Sequence, residues 1–240
     1  MTFERALEQA ASQAPALKAS EASVRASRSG AIAAGQLPDP TLSVGIDNFP
    51  ISGPPAFRPR EEGMTMARIG VEQAFPNPAK RRAEQTRARA AIGTAEAGQA
   101  VTVQDVRLET ALAWTDLYYA KRRLAQLQHL DASLGDLQAT VTARLASGSA
   151  RPSQAYEPEQ LRAAVSDRQA QLEAEVVKAQ ARLARLTGDP NVDVSGDPPL
   201  LAVDRERLRS GIGATPRLTA LDADVAAAEA ETDLARAAKR

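Results

Sequence analysis

Between Pro78 and Ser147 the chain carries no internal proline and only three glycines, Gly93, Gly98 and Gly135. Stepping from Val103 by three and four in turn meets Val106, Thr110, Ala113, Leu117, Ala120, Leu124, Leu127, Asp131, Leu134, Gln138, Val141 and Leu145. A 3.5-residue period held without a slip belongs to a helix that supercoils against a partner. At 1.5 Å per residue the run predicts a rod on the order of 100 Å, several times an ordinary globular helix. No compact domain needs such a helix.

The rod's partners follow from the breaks around it. Ser147-Gly148-Ser149 with Pro152 just beyond stops the helix, because glycine closes a helix and proline cannot continue one. A second helix is expected from Pro158 to Thr187, with its seam at Leu161, Val165, Arg168, Leu172, Val176 (or Glu175), Ala179, Leu183 and Leu186. A short connection between two heptad helices makes an antiparallel hairpin. Its arms are unequal, so the first half of the rod needs another neighbour. The segment from Thr2 to Gly35 is the available one, a helix in two pieces broken at Pro15. Its faces are Leu7, Ala10, Ala11 and Ala14, then Leu17, Glu21, Val24 and Arg28. Asp131 and Gln138 interrupt the rod's seam; they either face water or fix register, as polar seam residues do.

The period changes after Leu37-Pro38-Asp39-Pro40. Leu42, Val44 and Ile46 alternate with Ser43, Gly45 and Asp47, and Ala67, Ile69 and Val71 alternate with Arg68, Gly70 and Glu72. These read as two strands of about nine or ten residues, each with one apolar and one polar face. Residues 50–63 form the loop between them. One reading is a soluble hairpin over a small core. The other is a pair of bilayer-spanning barrel strands, with Phe49 and Phe75 at girdle positions.

Residues 191–215 read as a linker with a short helix near Asp204 to Ser210. The chain then repeats itself at a constant offset: Pro216, Leu218, Ala220, Ala223, Val225 and Ala227 match Pro15, Leu17, Ala19, Ala22, Val24 and Ala26, and Leu208 matches Leu7. The expected organisation is 1–36 N-terminal helices, 37–77 strand pair, 78–190 helical hairpin, 191–215 linker and 216–240 the start of a second repeat.

Composition removes several functions. Thirty basic residues balance thirty acidic ones, which argues against nucleic-acid binding. Aromatics make up 3% of the chain, too few for a thick globular core. Cysteine is absent and His129 is the single histidine, so no thiolate or multi-histidine metal site is available. Met64 and Met66 could offer thioethers to a soft metal, but are read as ordinary strand residues. Lys80, Arg81, Arg82, Arg87 and Arg89 form a basic cluster with one acid, Glu84; it is either a solvated face or a contact for lipid head groups. No phosphate-binding glycine loop, Gly-x-Ser-x-Gly or carboxylate pair in a rigid cleft occurs, so no enzyme, cofactor or metal is expected.

Several of these residues resemble one family. Leu37-Pro38-Asp39-Pro40-Thr41-Leu42-Ser43-Val44-Gly45 with Asp47-Asn48-Phe49-Pro50 is similar to the first strand of TolC-type outer-membrane efflux proteins, in their heavy-metal (cobalt–zinc–cadmium and copper–silver) branch. Gly63-Met64-Thr65-Met66 through Val71-Glu72-Gln73-Ala74-Phe75-Pro76 resembles that branch's second strand, although Ala79 stands where glycine is common. Ala113-Trp114 with Leu117-Tyr118-Tyr119 fits the long helix, and Arg144-Leu145 with Gly148 resembles the hairpin tip.

The resemblance implies a mainly α fold of long antiparallel coiled-coil helices, with a two-stranded antiparallel β-hairpin contributing to a trimeric transmembrane β-barrel. It implies a passive outer-membrane conduit for heavy-metal ions or other small toxic solutes, with a periplasmic extension. Leu42, Val44, Ile46, Ala67, Ile69 and Val71 would face lipid. Arg144, Leu145, Gly148 and Ser149 would dock a periplasmic adaptor (membrane fusion) protein coupled to an inner-membrane pump. Relatives are about twice this length and begin with an export signal, which Met1-Thr2-Phe3-Glu4-Arg5 does not resemble. A fragment, the first repeat plus the start of a second, is therefore expected. The alternative is a soluble coiled-coil scaffold or a periplasmic adaptor with a small β-hairpin.

Overall fold

The computed structural model describes residues 1–54, 56–60, 63–200 and 202–238. Residues 55, 61 and 62 of the loop 50–63, residue 201 of the linker and residues 239–240 of the second repeat lie outside the described residues. In chain order the elements are α1 (Phe3–Gln13), α2 (Pro15–Ala33), β1 (Thr41–Asp47), β2 (Met66–Glu72), α3 (Pro78–Ala146), α4 (Tyr156–Thr187), α5 (Arg205–Gly211) and α6 (Pro216–Ala238). Short 3₁₀ turns precede α4 and α6. Two compact units are present, one of residues 1–24 with 95–221 and one of residues 25–94 with 222–240.

In the first unit, α3 and α4 form an antiparallel hairpin. Its ladder of cross-links runs Asp131–Arg162, Arg123–Glu175, Asp116–Arg182 and Glu109–Arg185, and Gln169 Nε2 donates to Leu127 O at 3.3 Å. The predicted seam faces inward: Val106, Thr110, Ala113, Leu117 and Ala120 are buried, and the remaining positions to Leu145 are half-buried. Val103, 39% exposed, is the exception. α1 closes over this hairpin through Ala6, Ala10 and Ala14, all at most 1% exposed. Side chains this small at four-residue spacing let the α1 backbone approach α4 closely.

The core is sealed by Trp114, fully buried, whose ring meets Phe3 edge-on at 5.5 Å and stacks on Tyr118 at 5.3 Å. Trp114 Nε1 donates to Met1 O at 3.1 Å, so its one polar atom is satisfied. Leu117, Leu183, Leu186 and Val192 complete the cluster, each side chain contributing roughly 1.5–3 kcal/mol on full burial. Thr110 and Thr187 are buried too, their hydroxyls returned to Val106 O and Leu183 O.

In the second unit β1 and β2 pair antiparallel from Thr41↔Glu72 to Asp47↔Met66. Gln73 Nε2 bonds Pro38 O, and Arg81 Nε donates to Gly35 O at 2.8 Å. These two bonds tie the segment after α2 to the end of β2 and to the first turns of α3. α6 lies on α3 here, with Thr94 Oγ1 donating to Ala223 O and Arg87 paired with Glu231 at 3.5 Å. The heptad pattern and helix lengths alone point only to the N-terminal helix as a neighbour of α3 in this stretch.

Other differences have local causes. The strands are seven residues each rather than nine or ten. Asn48 takes φ 56°, which ends the extended backbone, although its Nδ2 still reaches Met64 O and its carbonyl accepts from Thr65 Oγ1. α4 begins at Tyr156, two residues before Pro158. Its inward seam passes through Gln169 rather than Arg168, and Leu161 is 49% exposed. In α1 the buried face is Ala6 and Ala10, continued by Ala14 just past its end, while Ala11 is exposed; in α2 Leu17 and Val24 are buried, and Glu21 and Arg28 are exposed.

The repeat extends to backbone detail. Leu17 N and Lys18 N bond Ala14 O, and at the same offset Leu218 N and Thr219 N bond Thr215 O. Each proline thus opens a helix at a first-turn position where its missing N–H costs nothing. Leu218 and Val225 are exposed where Leu17 and Val24 are buried.

Candidate functional site

The β-hairpin brings all six predicted lipid-facing residues together. Register pairs Leu42 with Val71, Val44 with Ile69 and Ile46 with Ala67, so they occupy one face as three cross-strand pairs. Nothing among the described residues covers that face: Leu42 is 66%, Val44 74%, Ile69 76% and Val71 73% exposed. The opposite face carries Ser43, Gly45, Arg68 and Asp47, with Arg68 and Asp47 paired at 3.4 Å. An apolar stripe in water would be costly and adhesive. The arrangement therefore asks for an apolar surface against Leu42, Val44 and Ile69. Phe49 packs edge-on against Phe57 at 6.2 Å, and Phe75 is 76% exposed.

The hairpin tip is built by hydrogen bonds that close α3. Gly148 takes φ +72°, and Gly148 N and Ser149 N bond Leu145 O and Arg144 O at 3.0 and 2.9 Å. This crossed pair satisfies the last carbonyls of a helix that ends on a left-handed residue. The hydroxyls of Ser147 and Ser149 crowd onto the same Arg144 carbonyl at 3.0 and 3.1 Å. Arg144, Gly148 and Ser149 are exposed and Leu145 is half-buried. The result is a blunt end that presents a guanidinium and two hydroxyls, with Tyr156 65% exposed at the start of α4.

The remaining singled-out residues stand apart. His129 is exposed on α3, and no group of three or more His, Cys, Asp or Glu side chains is placed to hold a metal among the described residues. Met64 falls outside β2, so it does not share a strand face with Met66. Asp131 and Gln138 are both reached by Arg162, at 3.1 Å each; that bridge had no signal in the heptads. No described helix is long and apolar enough to cross a membrane.

A long helical hairpin joined to a two-stranded antiparallel pair whose apolar side points outward is the fold of outer-membrane channel protomers. Solved structures carry it. VceC, an outer membrane protein of Vibrio cholerae, matches 98% of this chain over 58% of its own length, with TM-score 0.75 and 16% identity. A membrane protein from Pseudomonas aeruginosa matches with TM-score 0.78 at 17% identity, over 98% of this chain and 58% of its own. The MtrE outer membrane channel of Neisseria gonorrhoeae, in its open state, matches with TM-score 0.73 at 15% identity, over 98% and 54%. The chain therefore spans little more than half the length of these proteins. No family model and no curated protein matches the sequence.

Proposed function

We propose that this chain is the first-repeat portion of an outer-membrane channel subunit in a tripartite efflux system. The subunit works as a passive conduit, trimeric when complete, and no bond is made or broken in its solute. The observation that carries the reading is the hairpin face of Leu42, Val44, Ile46, Ala67, Ile69 and Val71, apolar across three register pairs and exposed. Lipid is the surface that such a face fits. A backbone edge cannot stand open in hydrocarbon, so further strands, from the rest of the subunit and from other copies, close the sheet. The tip at Arg144, Leu145, Gly148 and Ser149 docks a periplasmic adaptor protein, which links the channel to an inner-membrane pump. Heavy-metal ions are the proposed cargo, on the likeness of residues 37–50 and 63–76 to that branch; specificity lies in the pump.

Fractionation of the native host tests the first claim. The protein should sediment with outer membranes, resist high-salt washing and dissolve only in detergent. Folded protein in the low-salt soluble fraction would sink the channel and favour a coiled-coil scaffold. Disruption of the gene should raise sensitivity to cobalt, zinc, cadmium, copper or silver salts; unchanged sensitivity to all five would remove the proposed cargo but not the channel.

A further inference from the structure

The basic cluster at the start of α3 is two faces rather than one. At 3.6 residues per turn, Arg81, Arg82, Gln85 and Arg89 fall within an arc of roughly 100°, whereas Lys80, Glu84 and Arg87 lie on the other side. The second group is balanced: Arg87 is paired with Glu231, and Glu84 stands one turn from Lys80. The first is not. Arg81 gives one N–H to Gly35 O, Arg82 gives one to Pro78 O, and Arg89 has no ion pair among the described residues. Arg81, Gln85 and Arg89 line an open cavity of about 460 Å³ together with Gln36 and Ile32, and no carboxylate lines it. Arg81 and Arg89 thus line one cavity with no carboxylate among its walls, and Arg82 lies beside it on the same helix face; guanidiniums so placed match the planar, multi-oxygen geometry of a phosphate group.

The cavity's place selects which phosphate. Its floor is the Gly35 turn, held by Arg81, and the same segment is tied through Pro38 to Gln73 at the end of β2. The site therefore sits at the Thr41–Glu72 end of the hairpin with the bare apolar face. Ile32 on its rim is 72% exposed, and Leu37 just beyond is 41% exposed. A free anion has no use for apolar neighbours; an amphiphile does. We infer that Arg81, Arg82, Gln85 and Arg89 bind the phosphodiester of an anionic phospholipid headgroup, so fixing the depth of the hairpin in the bilayer. This rests on the membrane reading above and adds a ligand to it.

The test is native mass spectrometry of the protein purified in detergent from the host's outer membrane, titrated with phosphatidylglycerol and with phosphatidylcholine. Phosphatidylglycerol should bind and phosphatidylcholine, whose phosphodiester is neutralised by its own quaternary ammonium, should not. The double variant Arg82→Gln, Arg89→Gln keeps the Arg81–Gly35 bond. It should bind about 25-fold more weakly, near fivefold for each charge removed beside a membrane surface. Lys80→Gln, on the balanced side of the same turn, should bind as the wild type does. Equal binding of both lipids, or equal loss in Lys80→Gln and the double variant, would reduce the site to a solvated face. Displacement of the lipid by equimolar inorganic phosphate would mean a free anion instead. None of these outcomes touches the membrane reading, which stands or falls on whether the protein is found in the outer-membrane fraction at all.

Discussion

Val44 and Ile69 are register partners at the centre of the β-hairpin, and each leaves about three-quarters of its surface uncovered, 74% and 76%. Two branched aliphatic side chains opposite one another normally gain by packing into a core. Here the pair gains only its cross-strand contact. Replacing Val44 by Arg should cost about 2–4 kcal/mol if the residue meets hydrocarbon. The expected result is loss of the protein from washed outer membranes, while Ser43→Lys on the polar face is tolerated. Equal behaviour of the two variants would mean that both faces see water.

Much of this was legible in the residues. The period-2 alternation named all six positions of the apolar face, and the 3.5 period named nearly the whole inward seam of α3. The slips have physical causes. α4 offers no strong apolar residue between Val165 and Leu172, so the period alone could not choose Arg168 or Gln169; Gln169 wins because its amide reaches Leu127 O. Asn48 looks like strand by pattern, but its side chain completes the turn in place of the backbone. The Arg81–Gly35 bond joins residues far apart in the chain, and no periodicity encodes it.

Trp114 should be the most costly single side chain to remove. Trp114→Ala is expected to lower unfolding free energy by about 3–5 kcal/mol, as large-to-small changes of a sealed aromatic do. Trp114→Phe should cost less, about 2 kcal/mol from the smaller ring and the lost hydrogen bond, because Met1 O keeps a second donor in Ser195 N. Thermal denaturation in detergent, followed by near-ultraviolet circular dichroism, separates the two.

Two left-handed glycines should respond differently. At Gly148 an added Cβ would meet nothing within 4 Å, so Gly148→Ala should cost only the backbone strain of φ +72°, about 1–2 kcal/mol. At Gly35, with φ +71°, the Cβ would stand 2.6 Å from Gln85 Cγ. Gly35→Ala should therefore be worse, and Gln85→Ala should recover the excess but not the strain. Melting temperatures of the three variants and the double variant check the ordering.

Acid should loosen the packing beneath Asp193. Its hydrogen bond from Lys121 holds the carboxyl below its ordinary value, aided by the Val194 N–H and opposed by burial. A carboxylate whose folded pKa is depressed contributes stability above its unfolded value, near 3.8, and loses it as pH falls through the folded one. Both partners are well exposed, 37% and 61%, so the contribution stays under about 1 kcal/mol. Melting temperature should fall on acidification below about pH 4, with a smaller fall in Lys121→Met. An identical acid profile in that variant would show that the pair carries none of the dependence.

Arg162 bridges Asp131 and Gln138 across the helical hairpin. Polar groups in a coiled-coil seam cost stability yet reject shifted registers, since any slip leaves them unpaired. The triple variant Asp131→Leu, Gln138→Leu, Arg162→Leu should therefore melt higher than the wild type while holding α4 less uniquely against α3. The chain has no cysteine, so an introduced pair at Leu127 and Gln169 reports register without background. Oxidation should trap one cross-linked species in the wild-type seam. In the triple variant it should be slower and accompanied by products of a cysteine moved one turn to Leu124, while Arg162→Ala alone should melt lower than wild type, because it leaves Asp131 half-buried without its partner. A triple variant that cross-links as cleanly as the wild type would assign register to the apolar seam alone.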